Sequence, residues 1–158
     1  MSSSSSSAAG AGAVLYDNGR LGLEIKDDGS GFIYYPNGLQ AITISTISSY
    51  QKTFHAFDYD NKGTILMAID EYANGFASTT SRKNADINNN IMIVLNNKGG
   101  IISEDMKITK EWSWNKDNNK RHDTLIIQLN ENLTYIYKDK KTMSLEFQCE
   151  NIKYTIGI

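Results

Sequence analysis

The amino-acid sequence predicts an all-β fold, an antiparallel meander of about 10–14 short strands forming an open twisted sheet or a partly closed barrel or sandwich. One observation is a recurring turn signal of asparagine and glycine, residues that tolerate the positive φ angles of tight hairpin turns. A second is the short runs between these turns, which are rich in β-branched and aromatic residues. A third is that no window keeps the i, i+3, i+4, i+7 apolar spacing of a helix. The turn signals are Tyr16–Gly19, Tyr35–Gly38, Tyr59–Gly63, Tyr72–Gly75 and Asn96–Gly99.

The first half of the chain supplies most of these alternating runs. Leu21–Lys26 alternates apolar and polar residues with the period of two that is typical of a half-buried strand. Pro36, the only proline, stands beside a turn, where it removes no hydrogen bond from a sheet ladder. The predicted strands are Leu21–Lys26, Phe32–Tyr35, Ala41–Ile47, Phe54–Tyr59, Ile65–Ile69 and Phe76–Thr80.

The second half continues the pattern after a polar loop, Arg82–Asn90. Ile91–Leu95 is a compact apolar run of strand length, and Lys98–Gly100 is predicted to turn into the next strand. A charged loop, Asn115–Asp123, precedes the last part of the chain. The remaining predicted strands are Ile101–Ile102, Ile108–Trp114, Thr124–Leu129, Leu133–Tyr137 and Met143–Phe147, with Ile152–Ile156 as an additional one.

Length and composition predict one domain with a tail. The chain has 158 residues, and residues 14–158 suffice for a single β-rich domain with a sizeable core. Residues 1–13 are serine, alanine and glycine after the first methionine, which predicts a flexible tail.

Charge and hydropathy exclude several classes of protein. The formal net charge of -2 gives no global attraction to nucleic acid or to an anionic membrane. No run approaches the ~18 apolar residues of a membrane span, and the N-terminus lacks the basic and apolar segments of a secretory signal. Cys149 is the only cysteine, so no internal disulfide is expected. These features predict a cytoplasmic protein without membrane insertion or nucleic-acid partners.

The residues that most often perform catalysis are few and scattered. His55 lies on a predicted strand, His122 lies in a charged loop, and Cys149 follows a strand-like run. Asp27-Asp28 and Glu104-Asp105 are adjacent carboxylates beside turns, where solvated side chains are the usual finding. No pair has the close spacing of zinc ligands. The sequence therefore predicts no catalytic, cofactor-binding or metal-binding residues.

Three short motifs have simple structural explanations. Asp58–Gly63 faintly resembles a calcium loop but lacks the glutamate at the twelfth position, so a hairpin turn is favoured. Gly29–Gly31 is too short to hold a phosphate and precedes a strand. Lys138–Lys141 is a basic hairpin tip with one acidic residue inside it.

Trp112 and Trp114 are the strongest candidates for a functional role. At i and i+2 they share one face of a predicted strand and add a large apolar area there. A core role is favoured, and a partner contact is the alternative, because tryptophan is enriched in interface hot spots.

A short repeat accompanies the turns. Tyr16–Gly19 followed by Ile25 aligns with Tyr35–Gly38 followed by Ile44, and Gly29–Gly38 resembles the hairpin of MORN repeats. The regular spacing of a repeat array does not persist beyond these units, which favours one extended meander over a solenoid.

The order of these elements resembles the C-terminal domain of the glutamate-rich protein 6 family. The matching elements are Tyr34–Ile42, Tyr59-Asp60, Asn74-Gly75, Gly99-Gly100 and Trp112–Trp114, and the resemblance spans about Val14 to Ile158. It implies no enzyme activity and no cofactor. It implies instead a structural component of a ciliary axoneme, part of the microtubule cytoskeleton, whose partners are other axonemal proteins in a large complex.

Two alternatives come from other classes of protein. A MORN-like module at a membrane or cortical skeleton would bind anionic lipid in a salt-dependent way. A small enzyme or ligand-binding β-barrel would have a deep pocket that contains His55 or paired acids.

Overall fold

The computed structural model describes residues 12–82, 90–114 and 124–158. In these ranges the chain forms 14 strands in two antiparallel sheets, which confirms the predicted all-β fold. The first ten strands form one sheet in sequence order, and the last four form a second sheet, also in sequence order. Each sheet is therefore a meander, and the larger one is open, with β1 and β10 at its two edges.

The larger sheet contains β1 (Gly12–Leu15), β2 (Leu21–Ile25), β3 (Gly31–Tyr34), β4 (Gln40–Thr46), β5 (Lys52–Phe57), β6 (Ile65–Ile69), β7 (Gly75–Ser78), β8 (Ile91–Leu95), β9 (Gly99–Glu104) and β10 (Lys107–Ser113). The smaller sheet contains β11 (Leu125–Gln128), β12 (Leu133–Asp139), β13 (Thr142–Cys149) and β14 (Ile152–Gly157). Each predicted strand is present: Ile65–Ile69 and Ile91–Leu95 have the predicted bounds, and the ends of the others differ by one or two residues.

The predicted tail differs from the structure at its last residues, and parts of the tail and of the two predicted loops lie outside the described residues. Gly12 and Ala13, which the composition assigns to the flexible tail, lie in β1 and pair with β2. The rest of the predicted tail, residues 1–11, lies outside the described residues, as do residues 83–89 and 115–123 of the two predicted loops.

In the Asn-Gly turns, the glycine adopts the left-handed backbone conformation and the asparagine side chain makes a hydrogen bond. Gly19 has φ 86° and Gly38 has φ 93°, the left-handed conformation that glycine adopts without strain. The asparagine side chain before each glycine instead accepts a backbone N–H two residues on. Asn18 accepts from Arg20 at 2.9 Å, and Asn37 accepts from Leu39 at 3.0 Å. This arrangement explains why the sequence needs both residues in this order.

The tyrosine that begins each of these two turns links it to another part of the sheet. Tyr16 and Tyr35 are both buried, and each hydroxyl donates to a main-chain carbonyl at 2.5 Å. The acceptor for Tyr16 is Tyr34, and the acceptor for Tyr35 is Phe57. The short repeat in the sequence therefore corresponds to a repeated contact between hairpins.

The turn between β6 and β7 differs from the prediction. The backbone N–H of Asp70 donates to the carbonyl of Asn74 at 2.8 Å, and the residue in the left-handed conformation is Ala73, with φ 65°. Asn74 closes the turn, and Gly75 already begins β7, so the predicted Asn-Gly pair is not the centre of this turn. The reason is that the Asp70 side chain caps the turn, accepting from Tyr72 and Asn74.

Four buried contacts join the two sheets through one core. Tyr35 packs on Phe147 with ring centroids 5.9 Å apart, and Trp112 packs on Tyr137 at 6.0 Å. A Cβ atom on Gly22 would come within 2.1 Å of Ile152, so glycine lets β14 approach β2 closely. The backbone N–H of Thr80 donates to the carbonyl of Leu129 at 2.7 Å. The smaller sheet thus covers one face of the larger sheet.

The larger sheet curls around the smaller one. Along β13, Met143 pairs with Tyr137, which lies on Trp112 of β10, and Cys149 contacts the hydroxyl of Tyr16 beside β1. Met143 and Cys149 are six residues apart on β13, which is about 20 Å at about 3.3 Å per residue. In a flat sheet, β1 and β10 would be about 43 Å apart, because nine interstrand spacings of about 4.8 Å separate them. Twist and curl bring the two edges nearer to each other.

Replacing Ala73 with glycine should stabilise the protein by up to about 1 kcal/mol, because alanine is strained in the left-handed conformation. The matched reverse change is Gly19→Ala, where open space surrounds the new methyl group and only the φ of 86° opposes it. That variant should lose about 1 kcal/mol. Urea unfolding measures the free energy of unfolding of both variants. A change in the same direction for both would contradict the backbone conformations described for these turns.

Candidate interaction surfaces

Trp112 lies near the end of β10 and is 6% exposed. Its indole ring covers Gly100 on the paired strand β9, where an added Cβ atom would come within 2.2 Å of the ring. Trp114 follows directly after β10 and is half-buried, with its ring edge-to-face to that of Trp112 at 6.3 Å between centroids. Trp112 is therefore a core residue, as the sequence favoured, and Trp114 presents the exposed part of the pair.

The position of Trp114 is fixed by main-chain contacts. Its indole N–H donates to the carbonyl of Asn96 at 2.7 Å, and its backbone N–H donates to the carbonyl of Lys98 at 3.1 Å. The ammonium group of Lys140 lies 5.0 Å from the ring centroid, a cation–π contact. The β8–β9 turn and the β12–β13 hairpin tip therefore both hold this side chain.

The predicted turn Asn96–Gly99 is present, because the backbone N–H of Asn96 donates to the carbonyl of Gly99 at 2.9 Å. Both Gly99 and Gly100 already belong to strand β9, which corrects the prediction that Lys98–Gly100 is the turn. A Cβ atom on Gly99 would come within 1.8 Å of the carbonyl oxygen of Trp112. Glycine is needed at these two positions because strands β9 and β10 approach each other closely, and not because of turn geometry. A groove of about 430 Å³ opens beside them, lined by Asn96, Lys98, Gly99, Gly100, Ile101, Glu111, Trp112 and Ser113.

A second notable cluster is a buried ionic network, which we call the inter-sheet clasp: Tyr35, Asp58, Tyr59, Thr80, Arg82, Asn130 and Glu131. Its centre is Asp58, which is 1% exposed. Arg82 Nε donates to Asp58 Oδ2 at 2.8 Å, and the hydroxyl of Thr80 donates to the same oxygen. Asn130 Nδ2 donates to Asp58 Oδ1 at 2.9 Å. The backbone N–H of Tyr59 donates to the same oxygen at 3.0 Å. Because Asn130 comes from the smaller sheet, it is the donor by which the carboxylate joins the two sheets.

Arg82 extends the clasp toward the surface. Its guanidinium lies 4.0 Å from the ring centroid of Tyr59, donates to the Tyr59 hydroxyl at 3.0 Å, and pairs with Glu131 in the β11–β12 turn. Burial acts to raise the pKa of Asp58, but hydrogen bonds from Arg82, Thr80 and Asn130 outweigh it and hold the pKa below its usual value. Burial likewise raises the pKa of Tyr35, so its hydroxyl stays protonated.

The hydrogen bonds of the clasp indicate a structural role. Both oxygens of Asp58 accept hydrogen bonds from this chain, which leaves the carboxylate engaged within the fold. Sequence reasoning missed the cluster because the hydrogen bonds between its side chains join positions 22 to 95 apart. The sequence predicts only a hairpin turn at Asp58, and that turn does follow it.

The outer face of the larger sheet, away from the smaller sheet, carries a continuous row of side chains. Successive register pairs connect one residue of each strand from β2 to β10. The aromatic and aliphatic members are half-buried, and a glutamate stands at each end. The row consists of Glu24, Phe32, Thr43, His55, Ala68, Phe76, Val94, Ile101 and Glu111. A neighbouring row contains Met92, 39% exposed, and Ile108, 63% exposed, paired through Ser103.

The structure separates the remaining residues that the sequence singled out. His55 lies on the outer face, stacked on Phe57 with centroids 6.4 Å apart, and does not line the groove described above. Cys149 is half-buried, and burial raises the pKa of its thiol. The pairs Asp27-Asp28 and Glu104-Asp105 lie at different hairpins. His122 lies outside the described residues.

Metal and membrane features were sought in the same ranges. Across residues 12–82, 90–114 and 124–158, no three or more His, Cys, Asp or Glu side chains are grouped to hold a metal ion. Nor does this part of the chain contain a helix with the length and apolar character to span a membrane.

The fold defines an all-β protein with two stacked meanders, in which the smaller sheet covers one face of the larger sheet. A family model described as FAM194 protein matches residues 10–158, so the chain belongs to the FAM194 family. This corrects the sequence-based assignment, because the matching model is that of FAM194 and not that of the glutamate-rich protein 6 family. The short Tyr-Pro-Asn-Gly and Trp-x-Trp elements serve turn and core packing, so by themselves they were too little to fix a family. No curated protein and no solved structure matches the chain.

Changing Asp58 to asparagine should destabilise the protein by about 3 kcal/mol at pH 7, because Arg82 would lose the more buried of its two carboxylate partners and keep only Glu131. The native pKa of Asp58 lies below the unfolded value of about 3.9, so its ionised form stabilises the fold above that pH. This stabilisation is lost as the pH falls through the native pKa. Urea unfolding between pH 7 and pH 2 should therefore show a shallower acid loss in the variant.

The control for the clasp is Asp17→Asn, which makes the same chemical change at an exposed turn position. It should alter the free energy of unfolding by no more than about 0.5 kcal/mol. A similar small effect of Asp58→Asn would show that the clasp does not hold the sheets together.

Changing Gly100 to alanine should push the Trp112 ring out of its site and cost about 1–3 kcal/mol, the usual effect of overpacking. The matched change is Gly157→Ala, where nothing lies within 4 Å of the added atom. Since the chain has only two tryptophans, a red-shifted emission spectrum in Gly100→Ala alone would report the displacement. Unchanged emission and stability would contradict the packing described.

Proposed function

We propose that this domain is a non-enzymatic structural component of a ciliary axonemal assembly and acts through contacts with other proteins of that complex. The observation that carries the contact role is the outer face of the larger sheet. Its row of side chains spans nine strands, β2 to β10, on the side that the smaller sheet leaves uncovered, and five of the nine members are half-buried apolar residues. Apolar faces of this extent on soluble proteins commonly mark interaction sites.

The arrangement of polar groups also supports a contact role over catalysis. In the described ranges, the most buried carboxylate, Asp58, is held by donors of its own chain, and the acidic pairs lie at separate hairpins. The groove beside Gly99 and Gly100 contains one acid, Glu111, and no histidine or cysteine.

The axonemal location has a different basis from the contact role. It was implied by the resemblance to the glutamate-rich protein 6 family, which the FAM194 match replaces, and the fold adds nothing to it, so it needs a test of its own. The two alternatives, a membrane-associated module and a ligand-binding barrel, stay predictions, and no contact in the structure favours either of them.

A tagged full-length chain expressed in ciliated cells should remain with the axoneme after detergent extraction and be released by salt. Mass spectrometry of the salt extract measures this, and its absence from the axonemal fraction would overturn the location.

The contact face is tested in the same cells with Met92→Glu and Ile108→Glu, two exposed positions at which a charge need not disturb the core. Both variants should be released at lower salt than the wild type. Gln128→Glu, at an exposed polar position of β11 in the smaller sheet, is the matched control and should behave as the wild type. Equal retention of all four proteins would show that this face makes no contact.

A further inference from the structure

We infer that the surface around Trp114 binds an acidic, extended segment of a partner protein. Five lysines lie on the three elements next to the tryptophan pair, and we call them the basic rim: Lys98, Lys110, Lys138, Lys140 and Lys141. Four of the five are exposed, and the fifth, Lys140, lies over the ring of Trp114. This inference rests on the proposed contact role but not on the axonemal location.

Three separate elements bring the basic rim together. Lys98 lies in the β8–β9 turn, where its carbonyl accepts from the backbone of Trp114 at 3.1 Å. Lys110 stands two residues before Trp112 on β10, and so on the same face of the sheet. The β12–β13 hairpin tip supplies the other three, and Tyr137 at its base packs on Trp112. The rim is thus a product of the fold, because its members are spread from position 98 to position 141.

Acidic residues offset little of this charge. Asp139 lies within the hairpin tip, and its carboxylate accepts the backbone N–H of Lys141 at 2.8 Å. Glu111 alternates with Lys110 and Trp112 along β10 and ends the row on the outer face, and it is also the one acid that lines the groove beside Lys98. Two acids against five lysines leave the rim with an excess of positive charge. The chain as a whole carries a net charge of -2, so a local excess of lysine contrasts with the remainder of the surface.

The chemistry of the rim favours an acidic peptide over nucleic acid. Carboxylates can pair with the lysines while an apolar side chain contacts the exposed part of Trp114, a combination common in protein interface hot spots. A long polyanion such as a nucleic acid would be repelled by the net negative charge of the rest of the chain. Proteins that bind nucleic acids usually have strongly basic domains. The groove of about 430 Å³ next to Lys98 gives an extended segment room to continue along the sheet edge.

The two tryptophans of the chain both lie in this site, so intrinsic fluorescence reports binding without a label. Titration of the full chain with a synthetic glutamate-rich peptide of about ten residues should give a saturable change in emission. Affinity should fall about tenfold when salt rises from about 0.05 M to 0.5 M, because screening weakens exposed charge pairs.

Two matched double variants locate the site. Lys138→Glu with Lys141→Glu should weaken peptide binding at least about tenfold, through reversal of charge at the hairpin tip. Lys62→Glu with Lys153→Glu makes the same change in net charge at exposed positions on other elements and should bind as the wild type does. Thermal unfolding of both variants shows that neither change has altered the fold.

Each other outcome would overturn the inference. These outcomes are an absence of saturable change, an equal loss of binding in the control variant, and equal binding of a neutral peptide. Tighter binding of a single-stranded oligonucleotide or of anionic vesicles would assign the rim to a different class of partner. Peptide binding can fail while the axonemal fraction still retains the protein through the outer face, so the two proposals fail separately.

Discussion

The carboxylate of Asp58 is the constraint on which the joining of the two sheets depends. A charge removed from water is costly unless it is paired, and the partners of this one come from both sheets. Arg82 and Thr80 follow the larger sheet's β7, and Asn130 begins the turn between β11 and β12. Neither sheet alone supplies the full set, so the inter-sheet clasp couples the folding of one meander to that of the other.

The clasp also fixes which face of the larger sheet is covered. Once Asn130 contacts Tyr35 and Asp58, strands β12 and β13 run beneath the sheet from Trp112 at one edge to Tyr16 near the other. The larger sheet has to curl to meet them at both ends. Its opposite face remains outside, with half-buried phenylalanine and aliphatic residues in a row that the chain itself does not cover.

A division into an inner and an outer face gives the two proposed contacts their different characters. The outer face is apolar and long, which suits a broad protein contact. The edge at Trp114 is basic and narrow, which suits an extended acidic segment. The match over residues 10–158 shows that the chain belongs to the FAM194 family. The two surfaces are the structural basis of the proposed contacts.

The sequence by itself determined the strands and their order. Short apolar runs such as Ile65–Ile69 and Ile91–Leu95 match the observed strands residue for residue, because an apolar run of strand length and the turn residues that bound it are local properties. Trp112 was likewise recognised as a core residue from its spacing with Trp114. Tertiary structure decided what depends on distant residues: the split into two sheets, the clasp around Asp58, the close approach at Gly100 and the gathering of lysines around Trp114. These features join positions far apart in the chain, and local pattern carries no record of which distant residues will meet.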